Sequence, residues 1–514
     1  MAQVINSNIS SLNSQRNLST SQASLSTSLQ RLSSGLRINS AKDDAAGLAI
    51  SERFTSQIRG NQQAARNAND GISLAQTAEG GLSTAGDLLQ RIRELAVQSA
   101  NGTNSDSDRA SIQNEVSSLS KELDRVANTT QFNGQNVLDG SLTSSQFQVG
   151  ANSNQTITVG VQSARASDIG NNVIKPVVEL ASQSQVSAAG ATNLDADIAN
   201  NVTAPEEMVI SSAGGKTTKV FGLAGDSAKA IAAKYNAVTD KSSVTAQAST
   251  QATISGIQNG DVNFQLRGAN SIANDANSKA VTITAQVVGG DLSALAQAIN
   301  AQTGTTNITA SIKIDAAGAK ELQLNDNAGN DIQISAQTGD EALLGGTGTA
   351  ANIRGADVGG VAGSGTTAAI TTAGLAVGGQ VSFSSDSGFS IAVTGGSKIT
   401  GGANVGSDLK SVSKLDVSTV AGSNDALLTI DAALNQINSN RAALGAIQNR
   451  FASTIANLNT TTENLSASRS RIQDTDFAAE TATMTRGQIL QQAGTAMLAQ
   501  ANSLPNGVLS LLRG

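Results

Sequence analysis

Apolar residues recur every seven positions over a long stretch near the C-terminal end of the chain. The residues at this spacing are Ile430, Ile437, Leu444, Phe451, Leu458, Leu465 and Ile472. An unbroken heptad predicts one helix over 430–472, about 65 Å long at 1.5 Å per residue, whose apolar stripe packs against another helix. The last six residues are therefore candidates for a helical core, although an ordinary core helix would also account for the pattern.

Similar stripes occur in the N-terminal part of the chain and predict three helices, over 4–34, 44–99 and 105–128. The first contains leucines at helical spacing, namely Leu18, Leu25, Leu29, Leu32 and Leu36. The third contains Ile112, Val116, Leu119, Leu123 and Val126, spaced alternately by four and three residues. Asn101-Gly102 supplies the break between the second and third helices, and Asp106 or Asp108 is placed to cap the third.

After Val126 the period changes from helical to alternating. Turn signals at Asn133-Gly134 and Asp139-Gly140 predict a small β element beside the helices. The segment from about 170 to 415 is rich in Gly, Ser, Thr and Val and alternates in the same way. Residues 425–504 again have a helical pattern. We therefore predict an α+β fold, with a helical bundle or coiled coil formed by both chain ends and β-rich α+β domains inserted between them.

The middle segment contains an internal repeat. Residues 231–236 align with 295–300, and residues 244–246 align with 308–310, both at an offset of 64 residues. The alignment predicts two similar strand–helix–strand units, at about 215–270 and 280–335. A third, β-rich segment with strands at 380–383 and 389–393 follows, and Gly345-Gly346 and Gly359-Gly360 are candidate joints between the segments.

Composition excludes most enzyme chemistry. The 514-residue chain has no Cys and no His, which removes thiolate sites, Ser-His triads and the usual zinc motifs. A net charge of −7 argues against a nucleic-acid binder. Aromatic residues make up only 2% of the chain, so burial must come from Ala, Leu, Ile and Val. We expect no enzyme activity and no cofactor.

Two local patterns resemble sites of chemistry. Gly214-Gly215-Lys216-Thr217 approaches a phosphate loop, but Ile210 stands where the leading glycine should be, which favours a turn in a β domain. The pair Asp43-Asp44 would suit a hard cation, but the helix start that follows favours capping. No metal site is predicted from either pattern.

The two chain ends share an unusual charge pattern. Residues 1–42 contain four bases and no acid, and residues 481–514 contain no acid and two arginines. Helices of this composition are weakly stable alone, because most helical stability in proteins comes from packing. A partner chain, or a coiled coil between the two ends, is expected to order them. No apolar run approaches the roughly 20 residues of a membrane span, and no signal peptide is visible.

Long runs at both ends give the chain a close resemblance to the bacterial flagellins, the subunits of the flagellar filament. The resemblance covers about 1–160 and 415–514. Its N-terminal runs are Ser28-Leu-Gln-Arg-Leu-Ser-Ser-Gly35, Arg37-Ile-Asn-Ser-Ala-Lys-Asp-Asp-Ala-Ala-Gly47 and Leu89-Gln-Arg-Ile-Arg-Glu-Leu-Ala-Val-Gln98. Its C-terminal runs include Ser470-Arg-Ile-Gln-Asp-Thr-Asp-Phe-Ala-Ala-Glu480 and Val508-Leu-Ser-Leu-Leu-Arg513.

The resemblance implies a layout and a set of partners. Residues 1–40 and 480–514 would form an inner coiled-coil domain, residues 41–175 and 410–479 a helical rod domain, and residues 176–409 variable outer domains. The partners would be further copies of the chain in a helical homopolymer, an export chaperone, and the cap and hook–filament junction proteins. The resemblance also implies an extracellular location, reached by flagellar type III export, and no contact with nucleic acid or membrane.

The resemblance also suggests where copies and receptors would bind. The filament seam is predicted at leucines of the two ends, namely Leu18, Leu25, Leu29, Leu32, Leu36, Leu498, Leu509 and Leu512. Arg91, Leu95 and Glu115 match the epitope of a host surface receptor for flagellin. Leu509, Leu511 and Leu512 match the target of a host cytosolic sensor. Motility and innate immune recognition are the functions expected on this basis.

Three other functions are alternatives to a filament subunit. A hook–filament junction or cap-proximal protein shares terminal coiled-coil helices but does not polymerise by itself. A metallopeptidase displayed in the variable region would need the usual zinc motif, which a chain without histidine cannot form. An adhesin with a glycan site in the middle domains is disfavoured, because the chain has one Tyr and no Trp for sugar stacking.

Overall fold

The computed structural model describes most of residues 7–512. It does not describe residues 1–6, 176–185, 193, 195, 197, 199, 201, 203–204, 213–214, 273, 316–317, 345–348, 356–366, 394–403 and 513–514. For 186–192, 341 and 504–512 it describes the backbone alone. The predicted joints Gly345-Gly346 and Gly359-Gly360 lie outside the described residues.

Helices dominate both ends of the described chain. They are α1 Ile9–Ser34, α2 Ala45–Ala100, α3 Asp106–Thr129, α4 Ala228–Asn236, α5 Thr239–Ser242, α6 Ser293–Asn300, α7 Thr303–Thr306, α8 Glu341–Leu344, α9 Val420–Gln473 and α10 Phe477–Leu512. The C-terminal helical region is therefore two helices. Asp476 ends the interruption, since its Oδ1 accepts the backbone N–H of Ala478 at 2.9 Å and caps α10.

Short strands fill the region between α3 and α9. They are β1 Gln131–Phe132, β2 Gln135–Asn136, β3 Ser145–Gln148, β4 Thr156–Val159, β5 Gly170–Ile174, β6 Val186–Thr192, β7 Glu206–Ser212, β8 Thr217–Gly222, β9 Thr245–Ser255, β10 Gly260–Arg267, β11 Val281–Val287, β12 Thr309–Ile314, β13 Lys320–Asp326, β14 Ile332–Ala336, β15 Asn352–Gly355, β16 Thr367–Ala369, β17 Ala373–Val377, β18 Gln380–Ser385, β19 Phe389–Val393, β20 Asn404–Gly406 and β21 Asp408–Ser411. The α+β fold class, with helices from both ends and a β-rich insertion, is confirmed.

The chain divides into two units. The first comprises residues 1–80, 131–162 and 441–514 and contains α1, α10 and the two-stranded sheets β1–β2 and β3–β4. The second comprises residues 81–130 and 163–440 and contains α3 and the larger sheets. Helices α2 and α9 contribute residues to both units.

The larger sheets have strand orders that depart from the order of the chain. The five-stranded sheet runs β11-β10-β14-β17-β6, and the four-stranded sheet runs β20-β19-β7-β8. The main path of the eight-stranded sheet is β12-β13-β9-β18-β5-β21, with β15 and β16 branching from β9. Every strand pairing among the described residues is antiparallel, which permits one face of a sheet to meet solvent.

The 64-residue spacing of the sequence is matched by pairs of elements in the second unit. Each half contains a hairpin, β7–β8 or β10–β11, followed by two short helices and a strand. The helices end in equivalent asparagines. Asn236 exchanges two hydrogen bonds with the backbone of Ala246, at 2.9 and 2.8 Å, and Asn300 does the same with Ala310, at 2.9 and 2.7 Å. Each asparagine thereby fixes its helix to the strand that follows.

The third β segment does not fold by itself. Strand β18 lies between β9 and β5, and β19 pairs with β7, so this segment completes sheets that the first repeat begins. The apolar cluster around the first repeat accordingly includes residues from both segments. Tyr235 and Phe383 are examples, with ring centroids 4.5 Å apart.

Candidate assembly surface and candidate recognition patch

The chain ends meet as an antiparallel helix pair within the first unit. Near one end of the pair the Ser11 hydroxyl donates to Asn502 Oδ1 at 2.7 Å. Near the other end Arg31 lies 3.8 Å from Glu480, which is an acid of α10 opposite a base of α1. Residue numbers rise along one helix as they fall along the other, so α1 and α10 run in opposite directions.

Two leucines of α1 pack against two glycines of α10. A Cβ placed on Gly494 would lie 3.2 Å from Leu18 Cδ1, and one placed on Gly487 would lie 3.6 Å from Leu25 Cβ. The two glycines are seven residues apart, and so are the two leucines. Each leucine of α1 therefore packs against a glycine of α10 at the same heptad spacing. Leu18 and Leu25 are half-buried in this arrangement.

A set of apolar side chains on the same two helices remains in solvent. We call this set the terminal apolar stripe: Ile9, Leu12 and Leu29 of α1 and Phe477, Ile489, Leu490 and Met497 of α10. Their exposed fractions run from 49% at Leu29 to 68% at Ile9. Two helices bury only the faces that they turn to each other, so the other apolar faces have no cover in a single chain. Large apolar side chains exposed on two adjacent helices point to an interaction site.

The predicted seam leucines have three different environments. Leu18, Leu25, Leu32, Leu36 and Leu498 are half-buried, whereas Leu29 is exposed. Leu509 and Leu512 belong to the helical backbone of α10, but their side chains lie outside the described residues.

Sequence reasoning missed the four exposed α10 residues of the stripe. Their signal was present: the acid-free segment 481–514 contains Ile489, Leu490 and Met497 in addition to the leucine at 498. The seam prediction took only leucines from this segment, namely Leu498, Leu509 and Leu512. A helix that needs two partners shows a wider apolar face than one heptad position describes.

The heptad residues of α9 become more exposed toward its C-terminal end. Ile437, in the second unit, is fully buried. In the first unit Leu444 and Phe451 are also buried, whereas Leu458, Leu465 and Ile472 are half-buried.

Phe451 packs against a second aromatic ring and a glycine. Its ring meets Phe147 of β3 edge-on, with centroids 5.7 Å apart, and lies over the backbone of Gly71 in α2. Edge-to-face rings of this kind stabilise a core beyond the area that they bury.

The candidate epitope residues lie together in the second unit, but only two of them reach the surface. Arg91 bonds Glu115 Oε1 at 3.0 Å and Glu94 Oε2 at 2.9 Å, and its pKa is raised by the hydrogen bonds to Glu94 and Glu115. Arg91 and Glu115 are exposed. Leu95 is only 2% exposed and belongs to the core. The exposed part of the candidate epitope is therefore Arg91 and Glu115, in an ionic cluster that also includes Glu94.

The two candidate sites of chemistry serve local structure. The N–H of Gly47 donates to Asp44 Oδ1 at 2.8 Å at the start of α2, and Asp43 Oδ2 accepts the Ser40 N–H at 2.9 Å. Gly215 has a φ of +75° in the turn between β7 and β8. Among the described residues no group of three or more acidic, His or Cys side chains is placed to hold a metal ion. A search of the same residues finds no helix able to cross a membrane.

Comparison with known proteins gives consistent matches over the whole chain. A family model of the bacterial flagellin N-terminal helical region matches residues 5–143, and one of the C-terminal helical region matches residues 427–512. The chain is 44% identical over 522 residues to a B-type flagellin of Pseudomonas aeruginosa, covering 100% of both chains. It is 39% identical over 536 residues to a flagellin of Salmonella choleraesuis, again covering 100% of both chains. A solved FliC structure from Burkholderia pseudomallei is 23% identical, with a TM-score of 0.29, covering 74% of this chain and 99% of that one.

Proposed function

The chain belongs to the bacterial flagellin family, and we propose that it polymerises through its terminal helices into a filament that serves motility. A flagellin is a structural subunit of the flagellar filament. The observation that supports the proposed mode of assembly is the terminal apolar stripe, which is exposed in the single chain on both α1 and α10.

Burial of the terminal apolar stripe would drive association of the copies. Each large apolar side chain that is fully buried contributes roughly 1.5–3 kcal/mol, so the seven stripe residues together favour association strongly. A surface that binds a different surface of the next copy does not close on itself, and repetition of that contact gives a helical filament. The half-buried seam leucines Leu18, Leu25 and Leu498 would become fully buried in the same step.

Seeded polymerisation of purified monomer, observed by negative-stain electron microscopy, tests this assignment. We expect long filaments from the full chain and none from a variant that lacks residues 1–40. The sharper test is Ile489→Asp, which places a charge in the stripe at a residue that is 60% exposed and so should not perturb the monomer. Val288→Asp is the matched control, because Val288 is 68% exposed but lies in β-rich middle structure.

The two aspartate variants must differ for the proposal to stand. Ile489→Asp should stop polymerisation and Val288→Asp should leave it unchanged. Equal polymerisation of both variants would show that the terminal apolar stripe is not part of the assembly surface. A full chain that stays monomeric, with its helices intact by circular dichroism, would favour the alternative of a hook–filament junction protein.

The partners and location that we propose rest on family membership. A flagellin filament begins at junction proteins and ends at a cap, so both should bind this chain, and a chaperone should hold its C-terminal segment before export. The working location would be outside the cell. We propose no catalytic activity, since flagellins are structural proteins and the chain has neither His nor Cys.

Recognition by a host surface receptor is a second proposed function. It is supported by the exposed ion pairs of Arg91, because a guanidinium held by two carboxylates presents fixed charge to a partner. In this proposal the buried Leu95 holds α2 in place through the core and does not contact the receptor. The cytosolic-sensor match at Leu509, Leu511 and Leu512 remains a proposal from the sequence.

A receptor-reporter assay with two arginine variants separates recognition from general charge effects. Arg91→Ala should reduce signalling at least tenfold. Arg125→Ala removes an equally exposed arginine from α3, where it pairs with Glu122 at 2.5 Å, and should leave signalling unchanged. Unchanged signalling by Arg91→Ala would end the assignment.

A further inference from the structure

Side chains that oxidants attack readily are rare in this chain. The sequence has no Cys, no Trp and no His, and it contains one Tyr and four Met. Thiols usually react with peroxides before other groups do, but here they are absent. The methionine thioethers are therefore the groups at which a peroxide would react first.

The methionines that the structure describes differ in exposure, and Met1 lies outside the described residues. Met208 of β7 is fully buried, and its sulfur accepts a hydrogen bond from the hydroxyl of Tyr235 at 2.8 Å. Tyr235 is also fully buried. Met484 of α10 is half-buried, whereas Met497 of α10 is 64% exposed. Of these sulfur atoms, an oxidant in solution reaches that of Met497 most easily.

This accessible sulfur belongs to the terminal apolar stripe. Leu490 lies one heptad before Met497 on α10 and is 50% exposed, so the two side chains share a face of the helix. The thioether of methionine is apolar and adaptable, which suits a buried interface. Methionine sulfoxide is polar, and its oxygen accepts hydrogen bonds. Burial of that oxygen among leucine and isoleucine side chains, without a donor, would oppose association.

We propose that Met497 is a redox-sensitive modification site, at which a peroxide oxidises the sulfur of the free chain and thereby blocks assembly. With hydrogen peroxide, the O–O bond breaks and one oxygen atom forms a bond to Sδ. The sulfur is oxidised by two electrons to the sulfoxide, and the peroxide is reduced to water. This inference rests on the proposed assembly, because the polar sulfoxide opposes association only if the stripe becomes buried. The same burial protects Met497 once a chain has joined the filament.

Peptide mass spectrometry after treatment with hydrogen peroxide tests the accessibility of each sulfur. In free monomer, Met497 should be oxidised at least tenfold faster than Met208. In filaments, oxidation of Met497 should be at least tenfold slower than in monomer, whereas the rate at Met208 should be the same in both. Equal rates at Met497 in monomer and filament would overturn the inference, because the sulfur would not be covered by assembly.

Seeded polymerisation measures the consequence of oxidation, with each chain compared with its own untreated sample after catalase has removed the peroxide. Treatment of the unaltered chain should slow filament elongation at least tenfold. Met497→Leu should keep the rate of its untreated sample, because it has no sulfur at this position. Met484→Leu is the matched control on the same helix and should lose as much as the unaltered chain.

Methionine sulfoxide reductases that act on the two sulfoxide epimers supply a test without any substitution. Their action on the treated chain should restore elongation, and this result decides the question even if Met497→Leu fails to assemble. Normal elongation of a chain that carries the sulfoxide at Met497, or an equal loss in Met497→Leu, would overturn the site. Failure of the untreated chain to elongate would instead count against the proposed function.

Discussion

At the scale of the residue, the clearest lesson is how an aromatic-poor chain uses its few rings. The heptad selects Phe451 as one core position among six. The structure shows that its ring fits over Gly71 and against Phe147, so a large side chain is matched to a residue without a Cβ. Cores are packed densely enough that such a match constrains both partners.

Gly71→Ala should destabilise the first unit. The added Cβ would lie 2.6 Å from Phe451 Cζ and 2.8 Å from Phe451 Cε2. A rigid ring in a packed core can move away only at a cost in free energy. We expect a loss of about 1–3 kcal/mol in the free energy of unfolding, measured by urea denaturation followed by circular dichroism.

Gly80→Ala is the control on the same helix. No atom lies within 4 Å of its added Cβ, so the substitution should stabilise by about 0.5–1 kcal/mol through helix propensity. If the two alanine variants changed stability in the same direction, the packing of Gly71 under Phe451 would not be limiting.

The cap of α3 predicts a local pH dependence. Ser105 and Asp108 form a reciprocal capping box, and the hydrogen bonds from the Ser105 hydroxyl and N–H lower the pKa of Asp108 below its usual 3.8. A carboxyl with a lowered pKa contributes stability that is present above its unfolded pKa and is lost as the pH falls through the folded value. Amide hydrogen exchange at residues 105–112 should therefore accelerate below about pH 4, beyond the intrinsic rate.

Asp108→Asn and Asp106→Asn separate the cap from charge alone. Both residues stand in the first turn of α3, but only Asp108 closes the box. Asp108→Asn should remove most of the acid-induced change in exchange, and Asp106→Asn should retain it. Equal effects of the two substitutions would mean that the helix dipole, which acts on both carboxylates, outweighs the capping bonds.

At the scale of the element, the repeat shows one device used twice. Asn236 and Asn300 each close the helix-to-strand connection with two hydrogen bonds to one backbone residue. Both asparagine side chains are exposed, but Ala246 and Ala310 are buried, so the bonds satisfy backbone groups of two buried strand residues. Their role is to hold the following strand in register with the helix.

Asn236→Ala and Asn300→Ala should have equal effects on their own connections. Each removes two hydrogen bonds of a partly exposed side chain, which corresponds to roughly 1–2 kcal/mol. Native-state hydrogen exchange should show faster exchange at the amide of Ala246 in the first variant and at that of Ala310 in the second. A change at both amides in either variant would mean that the two connections open together.

At the scale of the whole molecule, stability is expected to be uneven along the chain. The terminal helices expose a large apolar stripe and bury only one face each, whereas α9 near Ile430 and Ile437 is fully covered. Regions with few buried apolar contacts open at low free energy. Order at the chain ends should therefore be coupled to assembly.

Hydrogen exchange measured by mass spectrometry in monomer and filament tests this coupling. In monomer we expect rapid exchange over residues 9–34 and 477–503 and slow exchange over 430–451. Filament formation should slow exchange in the first two segments by at least a hundredfold and change the third little. Strong protection of both terminal segments in monomer would show that the α1–α10 pair is stable without a partner.

The sequence predicted helices, turns and repeated elements well because their causes are local. Capping residues, glycines at turns and the heptad period act within a few positions, so α2 and α3 begin and end within a residue of the prediction. The sequence did not determine how far the candidate epitope residue Leu95 is exposed. Which side of α2 faces α3 and α9 is set by packing, and that arrangement leaves Leu95 only 2% exposed.

The sequence by itself determined the family, the helical ends and the exclusion of His and Cys chemistry, since these follow from composition and unbroken local patterns. Only the tertiary structure decided how the sheets interleave, because β18 and β19 find their partners more than 100 residues away in β9 and β7. It also decided which apolar residues stay in solvent. Sequence periodicity identifies the apolar face of a helix or strand. How much of that face is buried depends on the elements that pack against it.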